Sequence, residues 1–198
     1  MTPVTVVGAG FAGCEAAWTL AQNGIPVTLW EMKPRKFSPA HHSPDFAELI
    51  CSNSFKASRL ESAAGLLKAE MERLGSLCVP CAKETAVAAG GALAVDRDRF
   101  SALVTEKIRN HPLITVREGE VTEIPDGNVI IATGPLTSDA MADAIVKLCP
   151  EFDLHFYDAV APIVTLESVD MESAYLASRY GKGTADYVNC PMTKEEYE

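Results

Sequence analysis

A glycine-rich turn near the start of the chain has the spacing of a phosphate-binding loop. Gly8, Gly10 and Gly13 form the pattern G-x-G-x-x-G directly after an apolar segment. In this pattern the first glycine permits a tight turn, the second lets the backbone approach a pyrophosphate, and the third lets helix and strand pack closely. The N-terminus of the following helix offers N–H groups to the phosphate charge. The residues predicted to hold the ligand here are Gly8, Ala9, Gly10, Phe11, Ala12 and Gly13.

A carboxylate follows at the distance expected for a ribose ligand. A second apolar strand, predicted over residues 25–31, ends in Glu31, with Met32 beside it. In dinucleotide-binding proteins an acidic residue about 20 positions after the glycines accepts a hydrogen bond from a ribose hydroxyl. Strand, helix, second strand and acid in this order favour a dinucleotide site over a plain strand–turn–helix unit.

A second nucleotide signal lies near residue 130. An apolar strand ends in Ala132, Thr133 and Gly134. A strand that ends in small residues lets a cofactor lie against the carboxyl edge of a doubly wound sheet. Combined with the first motif, this sequence favours FAD over NAD at the N-terminal site.

The elements that must position these residues are predicted from apolar spacing and turn residues. They indicate an α/β fold: a Rossmann-like, FAD-binding, doubly wound sheet over residues 1–150 with a helical insertion at about 40–85. Residues 151–198 are predicted to begin a second, inserted substrate domain that is truncated. The predicted strands are 3–7, 25–31, 114–116, 120–124 and 128–133; the predicted helices are 11–23, most of 46–74 with an interruption near 51–54, and 96–110; residues 32–48 are a loop, and 125–127 a turn joining two strands.

The composition indicates the class of protein and the cellular compartment in which we expect it. A hydrophobic fraction of 47% predicts a globular core, and no apolar run is long enough to cross a bilayer. The first strand begins at once, so we expect no signal peptide and a cytoplasmic protein whose six scattered cysteines are thiols. Thr193 and Glu196 have capping-box spacing, yet the sequence stops about one turn later, which predicts a piece of a longer protein.

Charge is distributed unevenly along the chain. The net charge of −10 argues against a general nucleic-acid binder. Residues 33–59, however, contain five cations and two acids, a net of +3, which leaves −13 elsewhere. Such a patch suits a polyanionic partner, although an ordinary solvated loop would look the same. The candidates for substrate contact in this patch are Lys33, Arg35, His41 and His42.

Cys51 and the pair Cys78 and Cys81 could each do thiol chemistry. Cys51 is followed by Ser52 and Asn53 and lies near several cations, which lower a thiol's pKa, so it is either reactive or a packing thiol. The C-x-x-C pair is a redox dithiol or structural. No second pair with this spacing completes four zinc ligands, so no metal site is expected.

Several motifs together resemble one family, the folate- and FAD-dependent tRNA uracil-5-methyltransferases (the TrmFO family). The similarity extends over nearly the whole chain, and the C-S-N-S and Y-V-N-C-P-M segments are its specific parts. The matching segments are residues 8–17 (GAGFAGCEAA), 31–34 (EMKP), 40–42 (AHH), 46–54 (FAELICSNS), 132–137 (ATGPLT), 156–164 (FYDAVAPIV), 178–180 (SRY) and 186–192 (DYVNCPM).

The resemblance implies an activity and roles for these residues. Reduced nicotinamide, NADH or NADPH, would reduce FAD, and methylenetetrahydrofolate would provide a one-carbon unit for C5 of the T-loop uridine of tRNA, giving 5-methyluridine. Cys51 would be the acid/base or assisting thiol, with Ser52 and Asn53 near the substrate and a second cysteine outside this sequence. Residues 8–13 would hold the FAD pyrophosphate, Glu31 the ribose, and residues 132–134 would run beside the cofactor. Family members are about twice as long, which implies that this chain alone is inactive.

Three other functions fit part of the pattern. Flavoproteins that modify the tRNA wobble uridine share the glycine motif, and the segment from Cys51 to Ser54 argues against them. A flavin-dependent thiol/disulfide oxidoreductase would use Cys78 and Cys81 close to the flavin ring. A non-catalytic nucleotide-binding module would bind RNA without flavin.

Overall fold

The structure, a computed structural model, describes residues 2–149, 164–178 and 184–197. The matching segments at 156–163 and 179–180, and the predicted start of a second domain at 151, lie outside the described residues. The elements in chain order are β1 (Val4–Val7), α1 (Phe11–Gln22), β2 (Val27–Glu31), β3 (Ser54–Ala57), α2 (Ala63–Arg73), α3 (Cys78–Glu84), β4 (Ala86–Val87), β5 (Ala92–Val95), α4 (Arg97–Arg109), β6 (Ile114–Glu118), β7 (Asn128–Ile131), α5 (Asp139–Leu148), β8 (Tyr175–Ala177), β9 (Tyr187–Asn189) and α6 (Lys194–Tyr197).

A parallel sheet of four strands positions the candidate site. Its order is β6-β2-β1-β7, and every neighbouring pair is parallel. Val7 lies opposite both Trp30 and Ile131 in the register. Because the strands run the same way, the turns after β1, β2 and β7 meet at one edge of the sheet. The predicted α/β fold with a Rossmann-like sheet is confirmed.

A second layer contacts the parallel sheet through α1 and α4. Strands β3, β5 and β4 form an antiparallel sheet, and α2 and α3 lie beside it. The prediction of a mostly helical segment over 46–74 is wrong in its first half, because residues 46–53 contain no helix and β3 follows them. Only α2 is helical, and it begins where the Ser62 hydroxyl accepts a hydrogen bond from the Gly65 N–H at 3.1 Å.

The connection after β6 also differs from its prediction. Residues 120–124 form no strand, and β7 does not return beside β6 in a hairpin. Strand β7 instead pairs with β1 and is the outermost strand on the side opposite β6. Residues 119–127 must therefore cross from one side of the sheet to the other. The helix predicted over 96–110 is confirmed as α4, whose first turn is capped by the Asp96 carboxylate accepting from the Arg99 N–H at 3.0 Å.

Helix α1 is tied to the second layer by Glu15. Its carboxylate accepts hydrogen bonds from the backbone N–H groups of Leu77 at 3.0 Å and Cys78 at 2.9 Å, and from the Ser76 hydroxyl. These N–H groups belong to the first turn of α3, where the Ser76 hydroxyl also accepts from the Val79 N–H at 3.1 Å. An anion at a helix N-terminus stabilises the helix, so Glu15 acts as the cap of a neighbouring element.

Thr193 and Glu196 form the capping box predicted at the end of the sequence. The Glu196 carboxylate accepts from the Thr193 N–H at 2.8 Å, and the Thr193 hydroxyl accepts in return from the Glu196 N–H at 3.3 Å. Across the described ranges, every helix is too short or too polar to span a lipid bilayer.

Candidate dinucleotide-binding site

A cavity of about 450 Å³ opens at the carboxyl edge of the parallel sheet. This volume is within the usual range for small-molecule sites, and the position is the one at which doubly wound sheets bind ligands. Cys51 and the glycine loop share this cavity. Its lining comprises residues 7–12, 30–33, 41, 47–52, 119–121, 132–138 and 141.

The three glycines have the three different environments that the motif predicts. Gly8 has φ +99°, and a Cβ there would lie 2.6 Å from the carbonyl oxygen of Ala132. A Cβ on Gly13 would lie 1.7 Å from the carbonyl oxygen of Gly8, so only glycine lets α1 pack this close to β1. A Cβ on Gly10 would meet nothing within 4 Å. The open space beside Gly10 is what an approaching pyrophosphate requires.

Glu31 lies in the lining at the end of β2. Its side chain is buried, and its two oxygens accept from the backbone N–H groups of Ala9 at 2.8 Å and Lys33 at 3.0 Å. Each carboxylate oxygen can accept more than one hydrogen bond, so the group can also receive a ribose hydroxyl. Glu31 therefore joins the glycine loop to β2 while facing the ligand space.

Lys33 is part of the protein interior. It is 4% exposed, and its ammonium binds the carbonyl oxygen of Asp45 and, at 3.2 Å, the carboxylate of Glu48. Lys36 pairs with Glu120 at 2.8 Å. Two of the five cations of the basic stretch are thus paired with carboxylates of the chain itself.

Glu48 holds the loop that leads to Cys51. Its carboxylate accepts from Lys33 and from the N–H groups of His42 at 2.9 Å and Ser43 at 3.1 Å. Burial alone would raise the pKa of Glu48, but these hydrogen bonds and the Lys33 charge bring it below its ordinary value. Glu48 is therefore a carboxylate at neutral pH and a fixed anchor for residues 42–43.

The two adjacent histidines have different surroundings. His41 is half-buried in the cavity lining, and its Nδ1 lies 2.6 Å from the Ser38 hydroxyl. Burial, followed by the Lys33 charge, lowers the pKa of His41. His42 is exposed, and its side chain is outside the lining.

The residues around Cys51 separate into two groups. Cys51 and Ser52 are exposed and line the cavity. Asn53 lies outside the lining and pairs with Val95: its amide donates to the Val95 carbonyl at 3.0 Å, and the Val95 N–H donates to the Asn53 carbonyl at 3.0 Å. Arg35 is exposed in a neighbouring groove beside Trp30.

The C-x-x-C pair lies in the core. Cys78 is 3% and Cys81 0% exposed, and neither lines the cavity. Burial raises the pKa of Cys81 to about 11, and burial together with the Glu15 charge raises the pKa of Cys78 further. Because the thiolate is the reactive form, these two thiols are poor nucleophiles. All six cysteines lie in the described residues and are thiols, as expected.

Several lining residues were not foreseen from the sequence. They are Val7 of β1, Trp30 of β2, residues 47–50 before Cys51, residues 119–121 after β6, residues 135–138 before α5, and Met141 of α5. The parallel order of the strands is the signal that could have found residues 119–121, because they follow a carboxyl end. Met141 is 1% exposed and has no polar signature to distinguish it from a core residue.

A parallel sheet with a glycine loop, a buried acid at the end of β2 and small residues after β7 defines a dinucleotide-binding α/β protein. The family model described as "Glucose inhibited division protein A" matches residues 3–198, so the chain belongs to that family.

The chain is similar to proteins named methylenetetrahydrofolate–tRNA-(uracil-5-)-methyltransferase TrmFO, which confirms the resemblance seen in the sequence. It is 60% identical over 197 residues to the one from Geotalea uraniireducens and 55% identical over 194 residues to the one from Enterococcus faecalis. Each match covers 98% of this chain and 45% of the relative. The chain therefore spans a little under half the length of these relatives.

A solved structure, that of Aquifex aeolicus GidA, shares the fold. The TM-score is 0.50 at 18% sequence identity, over 64% of this chain and 21% of that protein.

Proposed function

We propose that this chain is part of an FAD-dependent enzyme that transfers a one-carbon unit from methylenetetrahydrofolate to C5 of the T-loop uridine of tRNA, forming 5-methyluridine, with NADH or NADPH as reductant. The observation that carries the proposal is that Cys51 shares one cavity with the glycine loop, in a chain 55–60% identical to relatives with this name. The buried C-x-x-C pair supports this choice over a thiol/disulfide oxidoreductase.

The residues of the cavity fit a dinucleotide such as FAD. The space beside Gly10 admits a pyrophosphate, and Glu31, with Met32 beside it, would bind the adenosine ribose. Ala132, Thr133 and Gly134 would run along the cofactor. FAD, once reduced by NADH or NADPH, would supply the two electrons that convert the one-carbon unit to a methyl group.

Cys51 would serve as the thiol of the reaction. C5 alkylation of a uracil needs a nucleophile that adds at C6 and a group that removes the C5 proton. An exposed thiol at the cavity rim can reach a uridine presented from outside, either as an acid/base or as an assisting thiol. Ser52 beside it is placed to contact the same substrate, whereas Lys33 and Asn53 hold the surrounding loops.

The test uses the product of the complete reading frame that contains this sequence. It is supplied with FAD, NADPH, tRNA transcript and methylenetetrahydrofolate labelled on its methylene carbon. We expect label in 5-methyluridine, and we expect Cys51→Ala to lower the rate by about 100-fold or more. Cys149→Ala, at an exposed cysteine outside the cavity, is the matched control and should keep the wild-type rate.

Two results would contradict parts of this proposal. Label that persists in Cys51→Ala would make Cys51 a bystander of the reaction. A flavin-loaded wild-type protein that transfers no label would overturn the methyltransferase function itself.

A further inference from the structure

His41 is an ionisable side chain in the cavity lining to which the proposed reaction gives no task. It lies in the loop between β2 and β3, half-buried, on the same cavity as the glycine loop. Its neighbour His42 is exposed and outside the lining, so the two rings provide an internal comparison.

Ser38 fixes which nitrogen of the His41 ring carries the proton. Ser38 is 8% exposed, and its hydroxyl oxygen accepts from the Ala40 N–H at 3.3 Å. The buried hydroxyl proton needs an acceptor of its own, and within the described ranges His41 Nδ1, at 2.6 Å, is that acceptor. A neutral ring that accepts at Nδ1 carries its hydrogen on Nε2.

The ring is neutral at pH 7. Burial and the neighbouring Lys33 ammonium lower the pKa of His41 from an ordinary value of 6.5. The carboxylates of Glu48 and Glu31 act in the opposite direction, and His42 adds to the lowering. Neutral His41 therefore offers Nε2–H as a donor, on the side of the ring opposite the buried serine.

Hydrogen bonds connect the loop that carries His41 to the glycine loop. The N–H of His42 donates to Glu48 at 2.9 Å, and Glu48 binds the Lys33 ammonium at 3.2 Å. The Lys33 N–H in turn donates to Glu31 at 3.0 Å, and Glu31 accepts from the Ala9 N–H at 2.8 Å. His41 thus belongs to the end of the cavity where a ribose and a pyrophosphate would lie, beside the acid that the motif reserves for ribose.

We propose that His41 Nε2–H donates a hydrogen bond to an oxygen of the adenosine half of the bound dinucleotide, either its ribose or its pyrophosphate. Ser38 is a positioning residue that sets the tautomer. The inference rests on the proposed cofactor site but not on the methyl-transfer reaction.

The test measures binding of FAD, ADP and adenosine by titration calorimetry, without any turnover, to the flavin-free product of the complete reading frame that contains this sequence. His41→Asn places its amide near the Nδ1 position and removes the Nε2 donor, whereas His41→Gln extends an N–H to about the Nε2 position. We expect His41→Asn to weaken binding of FAD and ADP by about tenfold, the effect of one hydrogen bond to a phosphate or hydroxyl oxygen. His41→Gln should bind FAD and ADP with an affinity within about threefold of wild type. His42→Asn should bind FAD and ADP with the wild-type affinity.

The outcomes separate the two proposals. His41→Asn that binds FAD and ADP like wild type overturns the role of His41 and leaves the cofactor site standing. A wild-type full-length protein that binds neither FAD nor ADP overturns the cofactor site and this inference together. A loss seen with ADP but not with adenosine assigns the hydrogen bond to the pyrophosphate, and a loss with both assigns it to the ribose. Both His41 variants remove the ring, so a difference between them reports the donor and not the fold.

Discussion

Among the single residues of the site, Gly10 is the glycine beside which the protein leaves space open for a ligand. A Cβ there meets no protein atom within 4 Å, and the backbone φ of −72° is open to any residue. Gly10→Ala should therefore leave thermal stability unchanged and weaken FAD binding by about tenfold or more, roughly 1.4 kcal/mol. Flavin fluorescence titration and a melting curve measure the two effects.

Gly91 provides the matched control for this substitution. It is an exposed glycine outside the cavity, its Cβ would also meet nothing within 4 Å, and it lies in no left-handed conformation. Gly91→Ala should change neither stability nor FAD affinity. Equal FAD affinity in Gly10→Ala and Gly91→Ala would mean that no phosphate approaches Gly10.

Individual residues also show which features of the site can be predicted from the sequence and which cannot. The glycine roles followed from spacing alone, because the turn, the close approach and the helix–strand contact depend on local backbone geometry. The state of Lys33 did not follow, because its partners Asp45 and Glu48 come from a loop whose path depends on tertiary contacts. A charge in a sequence therefore predicts a partner of opposite sign, without saying whether that partner is external or within the chain.

At the scale of elements, Glu15 on α1 is a cap for α3. Glu15→Ala removes the acceptor of two backbone N–H groups and one hydroxyl, so we expect a loss of about 2 kcal/mol in the free energy of unfolding. Urea denaturation measures this loss, and Cys78 in the first turn of α3 should become more accessible to a thiol reagent. Glu70→Ala, at an exposed acid on α2, is the control and should cost under about 0.5 kcal/mol. An equal loss in both variants would refute the capping role.

The elements themselves were predictable to different degrees. Helix α4 followed from its Asp96 cap and its apolar spacing, both of which are local signals. Strand β3 was missed because residues 54–57 become a strand only by pairing with β5, in which Ala94 lies opposite Ser54 and Ala92 opposite Ala57. The strand predicted at 120–124 failed for a related reason: a turn signal does not say whether the chain returns to its neighbour or crosses to the far edge of the sheet.

At the scale of the whole molecule, Glu48 joins the two ends of the loop of residues 32–53, because its carboxylate binds Lys33 at the start of the loop as well as His42 and Ser43. Glu48→Gln leaves the buried Lys33 ammonium without its counter-charge, and we expect a loss of about 3 kcal/mol at pH 7. Glu72→Gln breaks an exposed pair with Lys83 and should cost under about 1 kcal/mol. Urea denaturation of both variants gives the comparison.

The pH dependence of this effect has a defined sign. The pKa of Glu48 is lower in the folded chain than its ordinary value of 4.5, so its stabilising contribution is complete above that value. The contribution is lost as the pH falls through the folded-state pKa, and the difference between wild type and Glu48→Gln should narrow below pH 4.5. A difference that stays constant down to acid unfolding would mean that Glu48 does not titrate in this way.

Trp30 lies in register with Val7 and borders both the cavity and the groove beside it. The chain has one other tryptophan, Trp18, whose ring packs against His111 with centroids 5.3 Å apart, away from the cavity lining. One indole therefore borders the ligand space and the other does not. Tryptophan fluorescence can therefore report on binding, because a colourless nucleotide that enters the cavity should alter the emission of Trp30. This change in emission should be absent in Trp30→Phe and present in Trp18→Phe.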